Sequence, residues 1–208
     1  MGISLTHNWG WNFKFQVKLI IIQHGGYVMS IHQISVNYVD VEDRILLRLR
    51  TVDGLLYEAW LTRRLMTRLL QPLQQAITSM TLAEVAKEAI VMPEARDMLL
   101  ASAQERNRQQ ADFKTPFNEE VREDAKPMGA QPMLISGVEL AVRQPPTLCM
   151  LLRDNLNRSM TLEFPEALAS NVFSLMMAAV AQSEWGLVNV REAPIGVSEQ
   201  ELETRVLN

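Results

Sequence analysis

The chain has 208 residues, 48% of them hydrophobic and 21% charged, with a formal net charge of −4. That is the composition of a globular domain able to bury a core, and its acidic balance argues against a generic nucleic-acid or membrane-surface binder. A single cysteine, Cys149, excludes an intramolecular disulfide framework and an all-cysteine zinc site.

At the amino terminus, residues 1–28 hold His7, Trp9, Trp11 and the short apolar run Leu19-Ile20-Ile21-Ile22. They lack the basic start, long apolar core and small-residue cleavage site of a signal peptide. Encoded as GGA-GGN, Gly25-Gly26 would form a bacterial ribosome-binding sequence just upstream of Met29. The expectation is that Met29 is the natural start and that residues 1–28 are a leader; the alternative is an extra strand around residues 12–22. No apolar run reaches the ~18 residues that a membrane helix needs.

From residue 29 to 80 the pattern predicts three strands and a helix. The first strand, 32–41, carries Ile34, Val36 and Tyr38 on one face, and the turn Asp40-Val41-Glu42-Asp43 follows. Ile45, Leu47 and Leu49 then alternate with Arg44, Leu46, Arg48 and Arg50, and Tyr57, Ala59 and Leu61 alternate with Glu58 and Trp60, the signal of strands with one buried face. One shared face requires Leu49 opposite Tyr57, Leu47 opposite Ala59 and Ile45 opposite Leu61. That register leaves the loop Val52-Asp53-Gly54, with glycine in the left-handed position. Thr62 caps the helix, along which Leu65, Leu69, Leu73, Ile77 and Met80 recur at helical spacing. Pro72 is expected to kink or restart it near Gln71.

A helical insertion is predicted over 81–112. A second helix opens on Thr81-Leu82-Ala83-Glu84, a capping-box pattern, and a third runs from about Glu94 to Asp112 after Pro93. Residues 113–131, with two prolines and no periodicity, read as a mobile linker.

Residues 132–190 repeat the first pattern. Val138, Leu140 and Val142 alternate with Glu139, Ala141 and Arg143, Pro145-Pro146 turns the chain, and Leu148, Met150 and Leu152 face Phe164, Leu162 and Met160 across Asn155-Leu156-Asn157. The helix that begins at Pro165-Glu166 is apolar almost all round, so it is expected between layers or at a subunit interface. Residues 191–208 form an acidic tail with Glu199, Glu201 and Glu203. The fold expected is therefore α+β: a tandem duplication of a three-stranded antiparallel meander plus helix, packed as an internal pseudo-dimer because one such unit buries too little alone.

Chemistry is sparse. The three histidines all lie at or before the first strand of the repeat, and phosphate loop, dinucleotide fingerprint and nucleophile elbow are missing. Asp40, Glu42 and Asp43 read as a solvated turn, not a cation site. No catalytic residue, cofactor or metal is expected. The anomaly is electrostatic: Arg44, Arg48, Arg50, Arg63, Arg64 and Arg68 cluster, with only Asp53 and Glu58 between them. Arg63 and Arg64 stand in the first helical turn, where positive charge opposes the macrodipole by roughly 0.3–1 kcal/mol each. Either internal acids compensate, including a cross-strand Arg48–Glu58 pair, or the helix start is an anion site. Trp60, beside the arginine row, is either covered by another element or part of an aromatic–cationic contact surface.

The stretch Tyr57-Glu58-Ala59-Trp60-Leu61-Thr62-Arg63-Arg64 resembles a group of uncharacterised bacterial proteins with an aromatic-x-x-Trp-Leu-Thr-Arg-Arg segment at a strand-to-helix junction. The resemblance spans about residues 30–75, implies that Trp60, Arg63 and Arg64 act as a unit, and brings no known activity. The expected function is a bacterial, cytoplasmic, non-enzymatic interaction or adaptor protein. It would dock an acidic partner or anion through Arg48, Arg50, Trp60, Arg63, Arg64 and Arg68, with a homo-oligomer as a further option. The alternatives are nucleic-acid binding by the same arginines and an enzyme without a recognisable motif.

Overall fold

The computed structural model describes residues 12–14, 21–24, 27–85, 93–110, 117–118 and 125–187. Residues 191–208, and most of residues 1–28 and of the 113–131 stretch, lie outside the described residues.

In order, the elements are β1 (Asn12–Lys14), β2 (Ile21–His24), β3 (Tyr27–Val39), β4 (Arg44–Thr51), β5 (Leu56–Thr62), α1 (Arg63–Val85), α2 (Pro93–Gln110), β6 (Met133–Arg143), β7 (Thr147–Asp154), β8 (Ser159–Pro165) and α3 (Glu166–Gln182). The protein is α+β: β3 to β8 form a mixed sheet to which β1 and β2 add, and three helices accompany it. Among the described residues no helix is long and apolar enough to cross a membrane.

Alternation sets the register, because slipping by one residue would turn every apolar side chain to the wrong face. Leu49 pairs with Tyr57, Leu47 with Ala59 and Ile45 with Leu61; Leu152 pairs with Met160, Met150 with Leu162 and Leu148 with Phe164. Both hairpins close through the expected three-residue loops. Gly54 at φ +82° and Asn157 at φ +59° take the left-handed positions. The leading strands match as well. β3 pairs with β4 from Ile31–Thr51 to Val39–Arg44, β6 with β7 from Ile135–Asp154 to Arg143–Thr147, and each breaks register at the same step, Ile31/Gln33 and Ile135/Gly137.

Two further pairings join these meanders. β5 runs parallel to β6 through Ala59–Met133 and Trp60–Leu134. On the other side β2 is antiparallel both to β8 and to the start of β3. Because β3 also pairs with β4, the pairings return on themselves. The helices then cross over: α1 lies against β6, α3 lies against β3, and they touch each other, with α2 across both. Met66, Leu69, Leu73 and Ile77 of α1 and Leu168, Val172, Leu175 and Met176 of α3 share one core with the inward faces of the strands.

Three expectations need correction. α1 is continuous through Thr81, so no new helix starts there. The Thr81 hydroxyl shares its proton between Glu166 Oε1 at 2.6 Å and the Ile77 carbonyl at 3.1 Å, and a buried threonine satisfied in this way sits in mid-helix instead of capping. Pro72 does not restart the helix either: α1 runs through it from Arg63 to Val85. It lies on the exposed side, where water can serve the carbonyl its ring leaves unbonded, while Leu69, Leu70 and Leu73 keep the buried face intact. Finally, the described parts of the 113–131 stretch are packed: Phe117, Ala125 and Met128 are buried.

Candidate functional site

The outward face of β4 carries Arg48 and Arg50, and the chain itself covers them. The Phe117 ring lies 4.7 Å from the Arg48 guanidinium carbon and 5.6 Å from that of Arg50. Arg50 donates from Nη2 to the Asn118 carbonyl at 2.7 Å, and the Asn118 amide donates to Gln33 Oε1 at 3.1 Å. Arg50 is only 7% exposed. A flat guanidinium accepts an aromatic face well, so these contacts hold residues 117–118 against the sheet. Arg48 and Arg50 therefore leave the expected open surface. Glu58, the cross-strand neighbour of Arg48, has its carboxylate 2.6 Å from Lys126 Nζ. Trp60 stands opposite Leu46, as its register requires, and is half-buried.

Arg63, Arg64 and Arg68 are different. They occupy the first turns of α1 and are exposed. The Leu65 amide donates to Thr62 Oγ1 at 3.3 Å, the cap expected, and the first turn holds no acid. Among the described residues no carboxylate forms an ion pair with any of the three. Arg63 does contribute to holding the Asp43 carboxyl below its usual range, after the larger effects of hydrogen bonds from Trp185 and Tyr38. Replacing Arg64 by Glu, which leaves the attraction between Arg63 and Asp43 in place, is therefore expected to leave stability unchanged or raise it by about 0.3–1 kcal/mol, since the macrodipole is then complemented. Urea denaturation of the variant checks this; a clear loss of stability would mean that Arg64 holds an internal acid.

Arg64 and Arg68 rim a cleft. With Thr62, Leu65, Ile135 and Ser136 they enclose about 330 Å³. Sharing Leu65, Arg68 and Ser136 with it, a second space of about 460 Å³ runs on past Leu69, Pro72, Gly137, Val138 and Leu140. Together these form a groove between α1 and β6, cationic at one end and apolar along its length. A Cβ placed on Gly137 would meet nothing within 4 Å. The groove walls were not legible in the sequence, because Leu65, Leu69, Val138 and Leu140 stand in positions that read as core. Of the six residues expected to bind, the structure brings Arg64 and Arg68 to the groove and leaves Arg63 exposed beside them. Arg48 and Arg50 go under Phe117, and Trp60 stands half-buried on β5.

Elsewhere polar groups serve the packing. Glu166 accepts from the Thr81 hydroxyl at Oε1 and from Asn107 Nδ2 at Oε1 and Oε2, at 3.2 and 3.0 Å, tying α3 to α1 and α2. Among the described residues no group of His, Cys, Asp and Glu is arranged to hold a metal ion. Comparison of the chain with protein-family models, with curated proteins and with solved structures finds no match.

Proposed function

We propose that this is a non-enzymatic interaction protein that docks an acidic partner through Arg64, Arg68 and the adjoining groove, with Arg63 beside them. The observation that carries the reading is three exposed arginines on the first turns of α1, none of them ion-paired with a carboxylate among the described residues. Cations there oppose the macrodipole, so a bound carboxylate gains both the guanidinium groups and the field of the helix start. We read the setting as bacterial and cytoplasmic, from the resemblance around Trp60 and the single buried cysteine.

The fold belongs to the same proposal as a tandem duplication packed as an internal pseudo-dimer. Pair-for-pair agreement of the two meanders, the shared register break and the reciprocal seating of α1 on β6 and α3 on β3 support it. On this reading one copy kept Glu163, ion-paired with Arg143, where the other has Trp60. The copies then diverged toward structure and contact.

Titration with a blocked deca-glutamate peptide and with a single-stranded oligonucleotide tests the function. The peptide should bind to the wild type and lose at least about tenfold in the Arg64→Glu/Arg68→Glu variant, since a charge-assisted hydrogen bond is worth roughly 1.5–3 kcal/mol. Binding of the oligonucleotide alone, with a steep salt dependence, would move the arginines to nucleic-acid recognition.

A further inference from the structure

We propose that the open edge of β6 takes up an extended strand from the acidic partner, laid antiparallel in the groove beside α1. This rests on the acidic-docking reading and names the form of the partner. Along residues 135–143, β6 is hydrogen bonded to β7 on one side. On the other side β5 reaches only Met133 and Leu134. Among the described residues no strand pairs with that second edge beyond Leu134, so every other residue there turns its amide and carbonyl outward. Such an edge is a template for strand addition.

The molecule already performs this addition once. By register, Gln33, Ile34 and Ser35 of β3 correspond to Gly137, Val138 and Glu139 of β6: the first three face Arg50, Leu49 and Arg48, the second three Arg153, Leu152 and Leu151. At that place on β3, β1 is paired antiparallel, Asn12 with Ser35, Phe13 with Ile34 and Lys14 with Gln33. The matching place on β6 has the groove instead. Burial follows the difference. Ile34 and Val36 are 0% and 2% exposed, whereas Val138 and Leu140 at the same register are partly exposed and Val142 is 42% exposed.

Charge selects the occupant. Arg64 and Arg68 stand at the end of the groove nearest Ile135 and Ser136. An added strand would place a carboxylate there and apolar side chains against Leu65, Leu69 and Leu140. Alternation of side chains along a strand permits both, with apolar groups inward at every second position.

The test uses the full chain and a blocked hexapeptide, Val-Thr-Val-Thr-Val-Asp, whose carboxylate falls beside Ile135 and Ser136 when the strand is antiparallel, together with two forms of it N-methylated at odd or at even residues. One N-methylated form should bind about tenfold more weakly, because it loses backbone hydrogen bonds that its side chains cannot replace. Peptide binding should slow hydrogen exchange at alternate amides between Ser136 and Leu140. Gly137→Val, which adds a strand-favouring side chain into empty space, should weaken binding about tenfold while preserving the fold. Equal affinity of all three peptides, together with loss in Arg64→Glu/Arg68→Glu, would overturn strand addition and leave acidic docking standing. Undiminished binding in the arginine variant would overturn the acidic reading and this proposal with it. Slow exchange at these amides before any peptide is added would show the edge already paired within the chain or with a second copy, and would also overturn it. Should Gly137→Val fail to fold, the N-methylated peptides on the wild type decide.

Discussion

Replacing Trp185 by Ala is expected to lower the unfolding free energy by about 3–5 kcal/mol, the usual range for emptying a buried aromatic site. Trp185 follows α3 and is 4% exposed. Its ring meets Tyr38 edge-on, with centroids 5.7 Å apart, and its Nε1 donates to Asp43 Oδ1 at 2.6 Å. Tyr38 donates to the same oxygen at 2.9 Å, and Asp43 is itself left-handed at φ +46°. The end of α3 is thereby fastened to the turn between β3 and β4. Trp185→Phe separates the two contributions: most of the ring remains, the N–H is gone, and the loss should be about 1–2 kcal/mol. Acid sharpens the contrast. The Trp185 and Tyr38 hydrogen bonds hold the Asp43 carboxyl below its ordinary range against the opposing effect of burial. A carboxylate lowered in the folded state adds stability above its ordinary pKa, and this is lost as pH falls toward the lowered value. Urea denaturation from neutral pH down through the carboxylate range should show a shallower acid decline in Trp185→Phe than in the wild type. Identical slopes would mean that the indole N–H does not hold the carboxylate.

Asp154→Ala should cost about 2–4 kcal/mol, because it removes three hydrogen bonds at a largely buried carboxylate. Asp154 is 8% exposed. Its Oδ1 accepts from the Leu156 and Arg158 amides at 2.8 and 2.9 Å, and its Oδ2 from Arg158 Nε at 2.6 Å. Arg158 in turn donates from Nη1 to the Met128 carbonyl at 2.5 Å. The carboxylate therefore orders its own loop and, through Arg158, fastens the residues that lead into β6. Burial alone would push the Asp154 carboxyl up; the Arg158 side chain and the Arg158 and Leu156 amides outweigh it and leave it low. Its contribution is thus present at neutral pH and declines in acid, as for Asp43. In the other hairpin the matching residue is Thr51, whose Oγ1 accepts from the Leu55 amide at 3.0 Å. Asp154→Thr should accordingly recover part of the loss in a denaturation series; no recovery would mean that the Arg158 link dominates.

The hairpins were legible because a strand states its register in its own side chains. Ile45, Leu47 and Leu49 admit one pairing with Tyr57, Ala59 and Leu61 if all are to reach the core, and that pairing is found. Helix limits were less legible. Thr81 followed by Glu84 is a sound local start signal, yet the Glu166 carboxylate, remote in sequence, supplies a partner that lets α1 run through it. Phe117 had no periodic neighbours to mark it as buried, so nothing local revealed that it would cover Arg48 and Arg50. For the site, the helix-start arginines were legible through their conflict with the macrodipole. The groove was not. Val138 and Leu140 carry the same alternation as Ile34 and Val36, but among the described residues no strand pairs with β6 beside them, and they are partly open.

The crossing of the helices also governs the order in which this chain can fold. β3 emerges early in synthesis, but its covering helix is α3, and the strand that joins its start to the rest of the sheet, β2, waits for β8. Neither meander can finish its share of the core while the ribosome still holds the other. Contacts so distant along the chain carry a large loop-closure cost before they are rewarded, which slows the final step. Until α3 is released, the apolar inner face of β3 stands without its lid, and in that interval aggregation is the main competitor of folding.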